Sequence, residues 1–291
     1  MYFICTKCKN KVFIPRKDLP RYEKHDMECD LCYTLISAGR YEKNIPGGLT
    51  LFSFLGDALG DKIMQSSLRR YYVDQNPDEE VIFAESKKEF TDYFFSRKWN
   101  KVFWSDITNQ IIEVKGLPWF AVTNEAKALS KMGYWPELPE KPEKPNDFDL
   151  TDFVVVHLRN FNTCEFKNFT QQEAFNVLSY LNVILDYDIV LVDNDEPFKN
   201  DISFVTKDYR KVLSLGEIGW LLINAKLFIG KDAGIAHMAA AAQCRSVVWG
   251  FQSIRWNPLN RVESIYLMEK ESGIENIKNS INKLLEYKNV A

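Results

Sequence analysis

Short apolar runs alternate along this chain with longer segments in which apolar residues recur every three or four positions. The short runs, rich in Val, Ile, Leu and Phe, predict buried strands, and the longer segments predict amphipathic helices. Strands and helices that alternate in this way are typical of α/β proteins with a mainly parallel sheet. The predicted strands are 49–55, 79–86, 101–106, 153–160, 188–195, 227–229, 246–251 and 262–268, and the predicted helices are 62–72, 87–97, 125–133, 171–184, 214–225 and 274–288, with a helix of small residues after Asp232.

Proline and glycine divide the chain into segments. Pro46-Gly47-Gly48 is a break before the first strand of the α/β region, and residues 135–149 contain four prolines among many charges, as linkers do. Ligands of doubly wound folds bind beyond the carboxyl ends of the strands, so we expect a ligand cleft there. The predicted segments are a four-cysteine module at 1–46, a Rossmann-like domain at 47–134, a proline-rich linker at 135–150 and a second Rossmann-like domain at 151–291.

The composition is that of a soluble globular protein, with 46% hydrophobic and 26% charged residues and a formal net charge of −3. No stretch approaches the roughly 18 apolar residues of a membrane span, which predicts a chain without a transmembrane segment. The N-terminus MYFICTKCK lacks the order of regions of a signal peptide, so we predict a cytoplasmic protein. Residues 1–48 carry nine Lys and Arg against six Asp and Glu, an excess that fits a solvated basic face or a polyanionic partner.

Four of the six cysteines form two close pairs in the N-terminal module. Cys5 and Cys8 form one Cys-x2-Cys pair, and Cys29 and Cys32 form the other. Two such pairs supply four thiolates to a tetrahedral structural site of the zinc-ribbon kind, and so small a module needs such a staple in order to fold. Zinc is the favoured metal in a reducing cytoplasm, iron in the same ligand set is its main competitor, and no catalytic metal is expected.

Residues 227–251, LFIGKDAGIAHMAAAAQCRSVVWGF, combine a buried strand, a Gly-Lys-Asp-Ala-Gly turn, a helix of small residues and a further strand. Gly234 lets a ligand approach the backbone, and unpaired amides at the start of a helix attract anions. This order predicts a phosphate site at the turn. Asp232 is expected either to cap the helix or to accept a hydrogen bond from a ligand hydroxyl. The alternative is a tightly packed βαβ unit with a capping Asp232 and a structural His237.

Five motifs, in chain order, resemble those of the heptosyltransferase-like glycosyltransferases (family 9-like), which have the GT-B architecture of two Rossmann-like domains facing a cleft. Gly56-Asp57-Ala58-Leu59 matches the family's Gly-Asp-x-Leu after its first strand. Lys167 matches a family Lys, although the Trp-Pro that follows it in the family is absent, and Glu196 matches a loop Glu. Residues 232–241 match the family's Asp-Thr-Gly-Leu-x-His-x-Ala-Ala-Ala with Ala in place of Thr, and WGFQSIRWNP resembles its Phe-Gly-Pro-Thr segment.

The resemblance covers roughly residues 49–262 and implies an inverting, metal-independent transfer of a sugar from a nucleotide-diphosphate donor. It implies that Asp57 is the general base that takes the proton of the acceptor, with an N-cap of the following helix as its structural alternative. Asp61 lies one turn further on, where the family commonly has Thr, and is a second carboxylate on the acceptor side. The donor-binding residues that the resemblance implies are Lys167 and the amides of Ala233, Gly234 and Ile235 for the diphosphate, Glu196 for the ribose, and Asp232 and His237 for further contacts.

A second resemblance concerns the end of the first strand in the C-terminal half. His157-Leu158-Arg159 resembles the His-x-Arg element of GT-B fucosyltransferases, whose Arg contacts guanosine diphosphate. The guanidinium fork suits a diphosphate better than an ammonium group does, so Arg159 is a further candidate for the donor site. The nucleotide and the sugar stay open between ADP-heptose and other donors.

Several functions therefore compete at this stage. The leading one is an inverting glycosyltransferase whose acceptor is a protein, a glycan or a nucleic acid. The alternatives are a glycosyltransferase-derived protein that binds nucleotide sugars or nucleic acid without catalysis, and a glycosyltransferase that modifies nucleic-acid bases and holds its substrate with the ribbon. The four-cysteine module is expected to act as a scaffold, an acceptor clamp, a recruiting surface or a contact in a homo-oligomer.

Overall fold

The structure, a computed structural model, divides the chain into two compact units, Met1–Pro136 and Glu137–Ala291. Each unit has its own sheet and its own helices. The described residues are 2–4, 11–13, 27–28, 35–36, 40–45, 48–53, 59–75, 81–85, 93–94, 97–98, 100–103, 126–159, 167–192, 204–252 and 257–286.

The first unit contains a four-stranded sheet and a long helix. Its elements are β1 (Tyr2–Ile4), β2 (Lys11–Phe13), β3 (Met27–Glu28), β4 (Leu35–Ile36), β5 (Arg40–Ile45), β6 (Gly48–Ser53), α1 (Leu59–Gln75), β7 (Val81–Glu85), β8 (Tyr93–Phe94), β9 (Arg97–Lys98) and β10 (Asn100–Phe103). The strand order of the sheet is β10-β7-β6-β5. Strands β6, β7 and β10 are parallel, and β5 is antiparallel to β6. This parallel core confirms the strands predicted from 49, 79 and 101 onward.

The helix predicted at 87–97 is wrong for the residues of that range that the structure describes, 93–94 and 97. They belong to two short antiparallel strands, β8 and β9, in which Tyr93 pairs with Lys98 and Phe94 pairs with Arg97. Aromatic side chains favour the extended, half-buried conformation of strands, and this preference outweighs the helical spacing of the same residues. Two other antiparallel pairs, β1 with β2 and β3 with β4, lie in the N-terminal 36 residues.

The second unit contains a six-stranded parallel sheet. Its elements are β11 (Phe153–His157), α2 (Gln171–Ile184), β12 (Asp188–Leu191), β13 (Lys207–Asp208), α3 (Leu215–Asn224), β14 (Phe228–Lys231), α4 (Gly234–Ala241), β15 (Ser246–Phe251), β16 (Ser264–Met268) and α5 (Ile274–Glu286). The strand order is β13-β12-β11-β14-β15-β16, and every neighbouring pair is parallel. These elements confirm the strands and helices predicted for this half, including the strand at 262–268.

The chain winds outward in both directions from the centre of this sheet. After β11 it moves to β12 and β13 on one side, and it then returns to β14 beside β11 before moving to β15 and β16. The adjacent strands β11 and β14 therefore form the topological switch point, and a crevice opens beyond their carboxyl ends in folds of this kind. The residues after His157 and Lys231 lie at those ends.

The two faces of the sheet use alternate residues of each strand. Val154 and Val156 of β11 pack with Leu178 of α2 and Ile281 of α5 in one buried cluster. Phe153, which points to the opposite face, makes an edge-on ring contact with Phe148. Side chains that belong to the sheet centre are fully buried on both faces, which explains why β11 and β14 are apolar throughout most of their length.

Side chains fix the start of two helices in the second unit. Ser214 and Glu217 form a capping box at α3, and Thr170 and Glu173 form a second capping box at α2. In each box a hydroxyl accepts from the backbone of the Glu, and the carboxylate accepts from the backbone of the hydroxyl residue. The α2 box lies close to the switch point, so its Glu173 is available to residues at the end of β14.

The proline-rich residues after Pro136 belong to the second unit and pack against its helix α3. The amide of Glu143 donates to the carbonyl of Gly216 at 3.2 Å, and the amide of Gly216 donates to Oε2 of Glu140 at 3.0 Å. A Cβ on Gly216 would lie 2.6 Å from the carbonyl oxygen of Lys141, so only glycine permits this approach. The segment thus runs against α3, and Phe148 makes an edge-on contact with Trp220.

Candidate functional site

The candidate site lies at the carboxyl ends of β11 and β14, where the chain reverses its direction of winding. Arg159 follows β11 by two residues, and Asp232 follows β14 directly. Lys167 lies shortly before α2. The fold therefore brings together three charged residues that the sequence analysis selected from separate motifs.

Lys167 and Asp232 form an ion pair, with 2.5 Å between Nζ of the lysine and Oδ2 of the aspartate. The Lys167 side chain is 19% exposed and that of Asp232 is 7% exposed, so the pair is largely removed from water while the lysine keeps access to solvent. The amide of Asp232 donates to the carbonyl of Trp249 at 2.9 Å and fixes the backbone at this point.

The first turn of α4 provides backbone donors beside this pair. The N-cap residue is Ala233, whose side chain accepts no hydrogen bond, so the helix has none of the usual Ser, Thr, Asp or Asn caps. Asp232 does not cap the helix either, because its carboxylate binds Lys167. The amides at the start of a helix have no intrahelical acceptors, and the helix dipole adds positive potential there. Gly234 and Ile235 lie at this end of the helix, the position at which helices attract anions.

Arg159 is tied to the loop that carries Lys167. Its guanidinium Nη1 donates to Oδ1 of Asn168, and its carbonyl accepts from the amide of Phe169 at 2.8 Å. The residue is 9% exposed, so its side chain is held against the protein rather than free in solvent. The two cations of the site are consequently positioned by one short stretch of chain.

His237 lies one turn into α4, close to both members of the ion pair. Burial lowers the pKa of its imidazole to about 4, with Asp232 opposing and Lys167 reinforcing that effect. The residue as a whole is half-buried, and its Nδ1 is fully buried without a hydrogen-bond partner in the part of the chain that the structure describes. The imidazole is therefore neutral at pH 7 and offers a hydrogen bond rather than a charge to a ligand.

Lys231 and Glu173 complete the charged cluster. Nζ of Lys231 lies 3.0 and 3.1 Å from the two carboxylate oxygens of Glu173 and 2.8 Å from the carbonyl oxygen of Asn168. Partial burial raises the pKa of the Glu173 carboxyl, but hydrogen bonds from the Thr170 amide and Lys231 outweigh this effect. The pKa lies below its ordinary value, so the carboxylate is charged at neutral pH. With Arg159, Lys167 and Lys231 against Asp232 and Glu173, the cluster carries one net positive charge.

The structure places most of the predicted donor-side residues together. Arg159, Lys167, Asp232, Ala233, Gly234, Ile235 and His237 all lie at this edge of the second sheet. Asp61 lies in α1 of the first unit. Asp57, Glu196 and the four cysteines Cys5, Cys8, Cys29 and Cys32 lie outside the described residues.

Three residues of the cluster were not predicted as site residues: Asn168, Glu173 and Lys231. The capping-box spacing of Thr170 and Glu173 was visible in the sequence, as was Lys231 in the Gly-Lys-Asp-Ala-Gly turn. Neither pattern shows that Lys231 and Glu173 meet, because that contact depends on β14 lying beside β11. Within the described ranges no helix is long and apolar enough to cross a membrane, and no group of His, Cys, Asp and Glu is arranged to hold a metal ion.

No protein-family model matches the chain, and no curated protein matches it by sequence. Solved structures do match it. A family 9 glycosyltransferase from Veillonella parvula aligns with a TM-score of 0.57 and 11% identity, over 82% of this chain and 96% of that protein. The bacterial iron-containing dodecameric glycosyltransferase TibC from enterotoxigenic E. coli aligns with a TM-score of 0.55 and 15% identity, over 82% of this chain and 75% of that protein. The chain has the fold of these glycosyltransferases.

A third match has the same character. The E. coli heptosyltransferase WaaC, in a structure with ADP, aligns with a TM-score of 0.50 and 11% identity, over 78% of this chain and 97% of that protein. The three matches confirm the α/β fold expected from the GT-B resemblance. At these identities a structural match establishes the fold and leaves the chemistry to be argued from the site.

Proposed function

We propose that the protein is an inverting glycosyltransferase that moves a sugar from a nucleotide-diphosphate donor to an acceptor. The observation that carries the proposal is the switch point of the second sheet. There Lys167 pairs with Asp232 directly before an α4 N-terminus whose N-cap, Ala233, has no side-chain oxygen, and Arg159 is hydrogen-bonded to the neighbouring Asn168. Backbone amides, a helix dipole and two cations are what a diphosphate requires in the absence of a metal. The glycosyltransferase fold supports this assignment.

In the proposed reaction, an acceptor oxygen forms a bond to the anomeric carbon of the sugar from the face opposite the diphosphate. The bond between that carbon and the phosphate oxygen breaks, and the diphosphate leaves with the electron pair. Asp57 takes the acceptor proton, and Lys167, Arg159 and the α4 amides stabilise the charge that develops on the leaving group. Asp232 and the neutral His237 contact the sugar or phosphate oxygens, and Glu196 accepts hydrogen bonds from the ribose.

The ligands of proteins with this fold support a nucleotide-sugar donor. The WaaC structure contains ADP, and an E. coli ADP-heptose heptosyltransferase II aligns with a TM-score of 0.50 and 10% identity. An adenosine diphosphate donor is therefore the first candidate. A guanosine diphosphate donor is the second candidate, because the guanidinium of Arg159 can bind the diphosphate of either nucleotide in a bidentate manner.

A panel of nucleotides tests the donor assignment. We expect ADP, GDP or UDP, or one of their sugar derivatives, to raise the melting temperature of the protein, because a ligand that binds only the native state stabilises it by mass action. The measurement is a thermal-shift titration, confirmed by calorimetry, with AMP and inorganic phosphate as controls that lack a nucleoside diphosphate. A melting temperature that no nucleoside diphosphate or nucleotide sugar changes at millimolar concentration would contradict the proposed function.

We also propose that the four N-terminal cysteines bind one structural metal ion. Cys5 and Cys8 lie in sequence between the paired strands β1 and β2, and Cys29 and Cys32 lie between the paired strands β3 and β4. Each Cys-x2-Cys pair thus lies in the stretch of sequence that connects two antiparallel strands, an arrangement that suits a ribbon with two knuckles. Zinc fits this ligand set, and the iron content of TibC supports iron as the alternative.

Metal analysis of the purified chain tests this site. We expect about one equivalent of zinc or iron, and loss of that metal in the Cys8→Ser and Cys32→Ser variants, because three thiolates no longer close the tetrahedral site. Cys164→Ser is the matched control, since that cysteine lies outside both pairs, and it should keep the metal. A wild-type protein without bound metal after anaerobic purification would show that the cysteines serve another purpose.

A further inference from the structure

Lys231 is a buried cation that none of the proposed catalytic steps uses. It ends β14, it is 7% exposed, and its ammonium group donates to three oxygens, two from Glu173 and one from the carbonyl of Asn168. It also lies 5.0 Å from the centre of the Phe169 ring. Burying a cation is costly, and an apolar side chain of similar size would often be equally stable. Stability alone therefore does not account for a lysine at this position.

The partners of Lys231 belong to the loop that carries the proposed donor site. Asn168 follows Lys167 directly, and its side chain accepts from the guanidinium of Arg159. Its carbonyl accepts from Lys231, so a single residue connects the two donor-site cations to the end of β14. The Thr170 and Glu173 capping box, which holds the start of α2, is anchored by the same ammonium group.

Lys231 contributes almost no net charge of its own to the site, because Glu173 neutralises it. Its effect on a bound diphosphate therefore has to come from geometry. Small displacements of cations relative to an anion weaken the charge-assisted hydrogen bonds that hold it. A residue that fixes Asn168 also fixes the directions in which Lys167 and Arg159 point.

We propose that Lys231 is a positioning residue for the nucleotide diphosphate, acting through Asn168 on Arg159 and Lys167. The proposal rests on the proposed function, because it assigns Lys231 a task within that same donor site. It predicts that donor affinity depends on the Lys231 ammonium even though this group does not touch the donor.

The experiment measures the calorimetric Kd of the tightest-binding nucleoside diphosphate among ADP, GDP and UDP, together with the free energy of unfolding in urea. Lys231→Met should fold, since Met packs in the same space and Glu173, which is 40% exposed, can be solvated. We expect its Kd to rise roughly tenfold to a hundredfold, the range of one or two lost charge-assisted hydrogen bonds. Lys231→Arg, which keeps the pairing with Glu173, should recover part of the affinity.

Lys226→Met is the matched control. Lys226 precedes the same strand at its opposite end and pairs with Asp152, with 2.7 Å between Nζ and Oδ1. Its loss should change the free energy of unfolding slightly and leave the Kd unaltered. If Lys226→Met raised the Kd as much as Lys231→Met does, the loss of affinity would be a general consequence of breaking an ion pair at this strand, and that outcome would overturn the proposal.

Asn168→Ala tests the proposal independently, because it removes one acceptor of Arg159 and leaves the Lys231 contact with the main-chain carbonyl. We expect a similar loss of affinity. The double variant should bind no more weakly than the weaker of the two single variants, since both changes act on one element.

If Lys231→Met does not fold, wild-type affinity in Asn168→Ala overturns the proposal. If the wild type binds no nucleoside diphosphate, the proposed function fails first; if it binds and Lys231→Met binds equally well, only the positioning role fails.

Discussion

Replacing Asp57 by Asn is expected to lower sugar-transfer turnover by at least about a hundredfold, the usual contribution of a general base. Asn has nearly the same shape as Asp but takes no proton from the acceptor. Donor affinity should stay unchanged, because the diphosphate contacts proposed above come from Arg159, Lys167 and the start of α4. The measurement is the rate of nucleoside diphosphate release from the donor, with a cell extract as the source of acceptor.

Asp61→Asn is the matched control for this prediction. Asp61 lies near the start of α1, and it follows Asp57 by four positions in the sequence. If Asp57 is the base, Asp61→Asn keeps most of the turnover and changes chiefly the apparent affinity for the acceptor. The opposite pattern, with turnover lost in Asp61→Asn and kept in Asp57→Asn, would transfer the role to Asp61. Near-normal turnover in both variants would contradict base catalysis by either carboxylate.

Five of the six strands of the second sheet were predicted from the sequence, and the two-residue edge strand β13 was not. Strands such as β11 and β15 are apolar runs bounded by polar residues, and helix α3 begins with a capping box that is legible in the sequence. Both signals are local and agree with the global fold, which makes them reliable. The helix predicted across β8 and β9 was wrong because its aromatic residues recur at helical spacing, and periodicity alone does not reveal that their strand propensity is the stronger preference.

The site could be predicted only as a set of separate motifs. Asp232 and Lys167 are 65 positions apart, and their ion pair exists because β14 lies next to β11 in the sheet. Sequence reasoning left open whether Asp232 caps the following helix, and the structure assigns that position to Ala233. Lys231 is adjacent to Asp232 in the chain, yet its partners Asn168 and Glu173 come from the loop and helix after β11. Long-range contacts of this kind have no local signature.

Removal of the charge from Lys167 and from Asp232 should have opposite effects on the binding of a nucleoside diphosphate. Lys167→Met removes the cation and leaves the Asp232 carboxylate, 7% exposed, without this partner beside the phosphates. We expect affinity for ADP, or for GDP or UDP if that is the nucleotide bound, to fall by about a hundredfold, since a charge-assisted bond is lost and a repulsion is added. Asp232→Asn removes a negative charge and should strengthen binding by roughly threefold to tenfold.

The complete nucleotide sugar separates the two proposed tasks of Asp232. If this carboxylate accepts from a sugar hydroxyl, Asp232→Asn binds the nucleoside diphosphate more tightly but the nucleotide sugar less tightly than the wild type does. Calorimetric titration of both ligands measures this difference directly. The double variant Lys167→Met, Asp232→Asn should recover part of the diphosphate affinity that Lys167→Met loses, because the unpaired carboxylate is gone. Lys207→Met, which breaks an exposed pair with Asp149 at 3.2 Å, is the control and should alter neither affinity. Weaker nucleoside diphosphate binding in Asp232→Asn would mean that the aspartate orients Lys167 rather than competing with the phosphates for it.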